Sequence, residues 1–156
     1  MRFGATFALV GLENPEAIEA MIGLLRDANE EVRDWATFGL GSILEVDEER
    51  IRQALRDRLG DGDGDVRAEA MVGLARRGDD RVIAGLARAL DAELDDSPIV
   101  PRHLMDALLI LATRTPDPAL CRHVELAARA WLASSSGEEE APSALRGACA
   151  RCGIAL

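Results

Sequence analysis

Asp61-Gly62-Asp63-Gly64-Asp65-Val66-Arg67-Ala68-Glu69-Ala70-Met71-Val72-Gly73-Leu74 decides the fold of this chain. The acidic, glycine-rich half reads as a turn, and the half after it places Val66, Ala70 and Leu74 on one face of a helix. The pattern recurs. Asp27 precedes Val32-Arg33-Asp34-Trp35-Ala36-Thr37-Phe38-Gly39-Leu40, and Asp, Val, Arg, Ala, Gly and Leu repeat at a constant offset of 34 residues. Met1-Arg2-Phe3-Gly4-Ala5-Thr6-Phe7-Ala8-Leu9 lies on the same run at an offset of 31, with five of nine residues identical and no Asp-bearing turn before it. Ala107-Leu108-Leu109-Ile110-Leu111-Ala112 resembles Ala70-Met71-Val72-Gly73-Leu74-Ala75 at an offset of 37. A unit of this size cannot bury its apolar face alone, so its copies must stack into a shared core.

Between these first helices lie second ones. Asn14-Pro15 and Asp117-Pro118 pair a capping residue with a proline suited to the first helical position. The helix after Asn14 carries Ala17, Met21, Leu24 and Leu25 on one side. Val32, Ala36, Leu40 and Ile43 should face the core, Asp47 should cap the next helix, and Ile51, Ala54, Leu55 and Leu59 should bury its face. Gly78-Asp79-Asp80 reads as a stop followed by a cap, before Val82, Ile83, Leu86 and Leu90. Residues 95–101 form a two-proline loop and 134–140 an acidic one. A final helix from about Ser143 to Cys152 ends at Gly153. Small residues at Ala36, Ala70, Gly39 and Gly73 let helices approach closely.

The expected architecture is all-α: an α-solenoid, a right-handed superhelix of stacked antiparallel helix pairs. It is one domain over residues 1–156, with repeats at 1–26, 27–60, 61–94 and 95–133 and a C-terminal loop and helix at 134–156. Composition agrees. Hydrophobic residues make up 48% of the 156, but aromatics only 3%, and tyrosine is absent, which suits small-residue helix packing better than a β-sandwich. The net charge of −10 repels phosphate backbones, so no nucleic-acid partner is expected. No apolar run approaches the roughly 20 residues of a membrane span. The start has a superficial signal-peptide look but only one Arg and no small-residue cleavage site before Glu13. Three cysteines fit a reducing compartment better than a disulfide framework. A cytoplasmic location is the expectation.

The Asp turn followed by Val-Arg, Ala and Gly-Leu resembles HEAT repeats, in particular the short phycobilisome-lyase HEAT-like type of bacteria and archaea. The tetratricopeptide and ankyrin signatures are absent. The resemblance is strong over residues 27–90, truncated over 1–26 and weak over 91–133. It implies that the turn Asp and the Arg six residues on form a hydrogen-bond ladder between repeats, here Asp27, Arg33, Asp61 and Arg67. It also implies that second helices line a concave face.

No constellation for catalysis stands out. Asp61, Asp63 and Asp65 lack the Gly and Glu that a calcium loop would need at positions 66 and 72, which hold Val66 and Val72. Cys149-Ala150-Arg151-Cys152 is a lone CxxC, and Cys121 and His123 lie about 200° apart on a helix, so no metal site is expected. No cofactor is expected either. Trp35, whose repeat equivalents are Gly4 and Glu69, sits where core packing is not required and is the best candidate partner contact; Trp131 is expected to pack. Glu16, Glu19, Arg52, Arg56, Arg81 and Arg88 point away from the core on second helices and form a row turning from acidic to basic. The functional expectation is a non-catalytic scaffold or adaptor that binds another protein. The resemblance allows two alternatives: a component of a bilin lyase or chromophore–protein chaperone, and, disfavoured by charge, a HEAT-like DNA glycosylase. Because the first copy lacks its turn, the N-terminal helix is expected to mediate self-association, or the natural chain to extend upstream.

Overall fold

The computed structural model describes residues 2–96, 101–134 and 140–156, and among these every regular element is helical. The chain divides into two compact units, Met1–Asp79 and Asp80–Leu156.

The first unit holds α1 (Arg2–Leu9), α2 (Pro15–Leu24), α3 (Glu30–Phe38), α4 (Glu49–Arg58) and α5 (Gly64–Arg76). Helix α3 packs on α1 at one side and α5 at the other, while α2 and α4 form the second layer. Its core is Ile18, Met21, Leu25, Val32, Ala36, Leu40, Ile51, Leu55, Val66, Ala70 and Leu74. This is the stacking that the 34-residue offset requires, since each helix supplies an apolar stripe to its neighbours. The N-caps lie two residues after the turn aspartates. Asn29 accepts the Val32 amide at 3.1 Å, and Asp63 accepts the amides of Asp65 and Val66 at 3.0 Å each. The turn aspartates order the caps instead: Asp27 accepts from the Asn29 amide at 2.9 Å and Asp61 from the Asp63 amide at 3.0 Å.

Two expectations fail in the segment after α3. The helix passes into a π-helical turn, Gly39–Ile43, closed by the Leu44 amide on the Gly39 carbonyl at 2.9 Å. The wider turn shifts the register of the apolar face. Ile43 is therefore 41% exposed, and Leu44, 3% exposed, takes the core position. Asp47 does not cap α4: the N-cap position is Glu48, without a side-chain bond. The Asp47 carboxylate is instead held by Arg52, at 2.7 and 2.5 Å.

The second unit opens with a 3-10 turn, Asp80–Val82, followed by α6 (Ile83–Asp96), α7 (Arg102–Arg114), α8 (Pro118–Ser134) and α9 (Ser143–Cys152). Val82, Leu86, Leu90, Leu104, Leu108, Leu111, Leu120, Val124 and Leu145 form its core. Asp117 accepts the Ala119 amide at 2.9 Å at the head of α8, and Gly153, with φ +70°, ends α9. Helix α9 packs against both α7 and α8. It repeats the first-helix device: Arg146 donates to the carbonyl five residues back, Ala141, at 2.9 Å, as Arg33 does to Ala28 and Arg67 to Gly62. Leu145 and Cys149 are buried where the earlier copies have Val66 and Ala70.

The expectation of unpaired cysteines is corrected. Cys121 of α8 and Cys152 of α9 form a disulfide, with Cα atoms 5.4 Å apart. Helix packing brings together two residues 31 apart in sequence, which spacing alone does not reveal. Cys149 remains a buried thiol, and burial raises its pKa. The central part of the loop at 95–101 and most of the acidic loop at 134–140 lie outside the described residues. Among the described residues no helix is long and apolar enough to cross a membrane.

Candidate interaction surface

The turns between first helices are tied by arginines. Arg33 on α3 grips Asp61 with two parallel bonds, Nε to Oδ2 at 2.9 Å and a terminal nitrogen to Oδ1 at 2.8 Å. Its other terminal nitrogen donates to the Asp27 carbonyl at 3.0 Å. One offset later, Arg67 donates to the Asp61 carbonyl at 2.8 Å. The Asp61 side chain is 4% exposed. The Arg33 hydrogen bond is the main reason that its pKa lies below the usual carboxylate value, and burial opposes the shift. Arg58 at the end of α4 joins this centre, donating to Asp61 Oδ2 at 3.1 Å and to the Leu25 carbonyl at 2.7 Å. No repeat comparison singles out Arg58; its place three residues before the turn aspartate is the only sequence signal.

A second clamp also escaped the sequence. Arg77, following α5, has a side chain 5% exposed. It donates to the carbonyls of Leu40, Gly41, Leu44, Val46 and Gly73 at 2.7 to 3.1 Å. Leu40 and Gly41 lie in the π-turn and Leu44 and Val46 just after it, where the regular helical pattern of carbonyl partners ends, while Gly73 lies on α5 itself. Burial lowers the Arg77 pKa, and Asp47, 3.9 Å away, opposes that.

The charged residues of the second helices form ion pairs. Arg50 on α4 reaches Glu48 at 2.6 Å and Glu19 of α2 at 3.4 Å. Arg52 holds Asp47. Arg56 holds Asp79 at 2.6 Å and also Glu49. Glu16 is exposed on α2. In the second unit Arg81 and Arg88 are exposed, and Asp91 of α6 pairs with Arg122 and lies 3.3 Å from the buried His123 of α8. A hollow of about 460 Å³ beside the disulfide is lined by Glu125 and Arg129, which pair with each other at 2.6 Å. Among the described residues no group of His, Cys, Asp and Glu is placed to hold a metal ion.

Trp35 is half-buried. Its ring stands edge-on to Phe7 of α1, centroids 5.4 Å apart, and to Phe38 of its own helix, 5.7 Å apart. Phe7 is 61% exposed, and Leu12 and Ile43 are also exposed, at 44% and 41%. Ile43 abuts the backbone of Gly11, where an added Cβ would lie 3.7 Å from its Cγ2. The repeat comparison misleads in one respect. Glu69, the counterpart of Trp35, is 5% exposed and accepts a bond from the Ser42 hydroxyl at 3.0 Å, so this position does take part in packing where α5 meets the π-turn.

The HEAT-repeat family profile matches residues 18–98. The chain is 31% identical over 121 residues to protein YibA of Escherichia coli strain K12, an alignment covering 70% of this chain and 42% of that protein. It is 37% identical over 91 residues to the HEAT repeat-containing taxis protein OE_2401F of Halobacterium salinarum, covering 58% of this chain and 21% of that protein. The chain thus spans less than half the length of these relatives.

Proposed function

The chain belongs to the HEAT-repeat family, and we propose that it serves as a non-catalytic scaffold that binds another protein. The observation that carries this reading is the Phe7–Trp35–Phe38 cluster at the surface of the first unit. Exposed contiguous apolar surface, with tryptophan at its centre, is typical of protein contact sites. The Arg33–Asp61 clamp holds α3, which presents Trp35 and Phe38, and a fixed helix lowers the ordering cost of binding. The finer assignment, to the short phycobilisome-lyase type of repeat, belongs to the same reading and rests on the turn Asp and the Arg six residues later.

The ion pairs of α2 and α4 give the charged row a smaller part in this reading. Exposed pairs contribute little, and Arg52 and Arg56 are already engaged. The test is affinity capture with the full chain as bait in a lysate of its source organism, beside W35A and F7A. The scaffold reading predicts specific proteins retained by the natural chain and lost from both variants. An identical set of captured proteins with all three baits would remove the aromatic cluster as the contact.

A further inference from the structure

The aromatic cluster has a charge context that narrows its partner. The chain has five aromatic residues, three Phe and two Trp, and two of the Phe rings stand against Trp35 here. On α3, Glu31, Trp35 and Phe38 follow the spacing of one helical face, with Glu30 beside Glu31 at the head of the helix. Glu30 and Glu31 are exposed. Neither forms a hydrogen bond or ion pair with any described residue. Glu13, one residue after the exposed Leu12, is likewise exposed and pairs with no described residue.

The cations of the same unit are largely committed elsewhere. Arg33, Arg50, Arg52, Arg56 and Arg58 hold carboxylates, while Arg67 and Arg77 hold backbone carbonyls. Residues 1–79 contain seventeen acidic against ten basic residues. Among the described residues the head of α3 beside the aromatic strip therefore carries two carboxylates without a direct ion-pair partner, although the charge of Glu30 acts on Arg33. Such a surface attracts cations and discriminates against anionic partners.

We propose that the Phe7–Trp35–Phe38 face is a docking site for a cationic amphipathic helix of a partner protein. The inference rests on the scaffold reading and specifies the partner's chemistry. The partner's apolar stripe packs over Phe7 and Trp35, and its flanking Lys or Arg side chains meet Glu30 and Glu31. A helix suits the site because α1 and α3 pack side by side, and an amphipathic helix presents anchors at three- and four-residue spacing to such a surface.

The test uses the full chain carrying W131F, so that emission reports Trp35 alone. Two synthetic helical peptides of about eighteen residues, long enough for a continuous apolar stripe, serve as probes. One carries Leu on the apolar face and Lys elsewhere; the other replaces each Lys by Glu. The Leu/Lys peptide should bind and shift Trp35 emission, with affinity reduced at least tenfold by F7A and by E30Q/E31Q. All four replaced side chains are solvent-accessible or partly so, and circular dichroism confirms that each variant is folded. Equal binding of the Leu/Glu peptide through Phe7 would overturn the cationic partner and leave the docking face standing. Binding of the Leu/Lys peptide unaffected by F7A, with Trp35 emission unchanged, would overturn the docking face as well. No binding of either peptide at millimolar concentration would overturn the amphipathic-helix proposal, while the scaffold reading is judged by the capture experiment.

Discussion

Arg33 and Asp61, 28 residues apart in sequence, meet through two parallel hydrogen bonds. The pair joins the first turn of α3 to the turn that opens α5. Asp61 also receives Arg58 and the Asp63 amide, so its removal takes the carboxylate partner from two guanidinium groups at once, leaving them only backbone carbonyls. D61A should destabilise the first unit by about 2–4 kcal/mol. R33A should cost less, because Arg58 still neutralises Asp61. A double-mutant cycle in urea should show coupling of about 1–2 kcal/mol. The same pair sets an acid limit. Asp61 has a lowered folded pKa, so its contribution is complete above the unfolded value of about 3.9 and is lost as pH falls through the folded one. The R33A variant should show a shallower loss of stability below pH 4.

Arg76 and Arg77 are adjacent and chemically identical. Arg76 is exposed, whereas Arg77 satisfies five carbonyls around the π-turn. R77M should cost about 2–4 kcal/mol, since buried carbonyls lose their donor. R76M should change stability by less than about 0.5 kcal/mol. Equal urea midpoints for the two variants would contradict the clamp.

Gly73 and Gly23 both lie within helices but differ in surroundings. A Cβ at Gly73 would stand 2.6 Å from the Gly41 Cα and 2.9 Å from Leu55 Cδ1. At Gly23 nothing lies within 4 Å. G73A should destabilise by about 1–3 kcal/mol, because the π-turn and α5 must separate. G23A should be neutral or stabilise by up to about 1 kcal/mol through helix propensity. The melting temperature of G73A should therefore fall, while that of G23A should hold level or rise.

The Cys121–Cys152 disulfide closes a long loop in the second unit. Chain-entropy reasoning for such a loop gives about 3–4 kcal/mol. Dithiothreitol should speed amide exchange in α8 and α9, and C121S/C152S should reproduce the effect without reductant. C149S, which leaves the bridge intact, should not show the same sensitivity.

His123 of α8 is 3% exposed, and burial, followed by the nearby Arg122, lowers its pKa, while Asp91 opposes the shift. Protonation therefore favours the unfolded state. Its stabilisation is complete above the unfolded value of about 6.5 and declines as pH falls through the folded pKa. Amide exchange in α8 should accelerate between pH 7.5 and 5.5 after correction for intrinsic rates. H123Q should remove that dependence.

The repeat, its helices and most of its core were legible in the sequence because they depend on local periodicity. Val32, Ala36, Val66, Ala70 and Leu74 recur at a spacing that only stacked helices can satisfy, and Gly153 ends the last helix as its position indicates. Composition likewise gave the net charge of −10. What one copy does differently from another was not legible. The π-turn exposes Ile43 and buries Leu44, and no residue pattern marks the change in turn width. Glu69 and Trp35 occupy equivalent positions, yet one packs beside Ser42 and the other against Phe7, because their neighbours differ. Arg77 and Arg76 diverge only when the carbonyls of residues 40–46 come within reach. Cys121 and Cys152 become a pair only when α9 settles on α8. Periodicity along the chain determined which residues turn inward; contacts between residues distant in sequence decided which charges are spent, which thiols join and which aromatics remain at the surface.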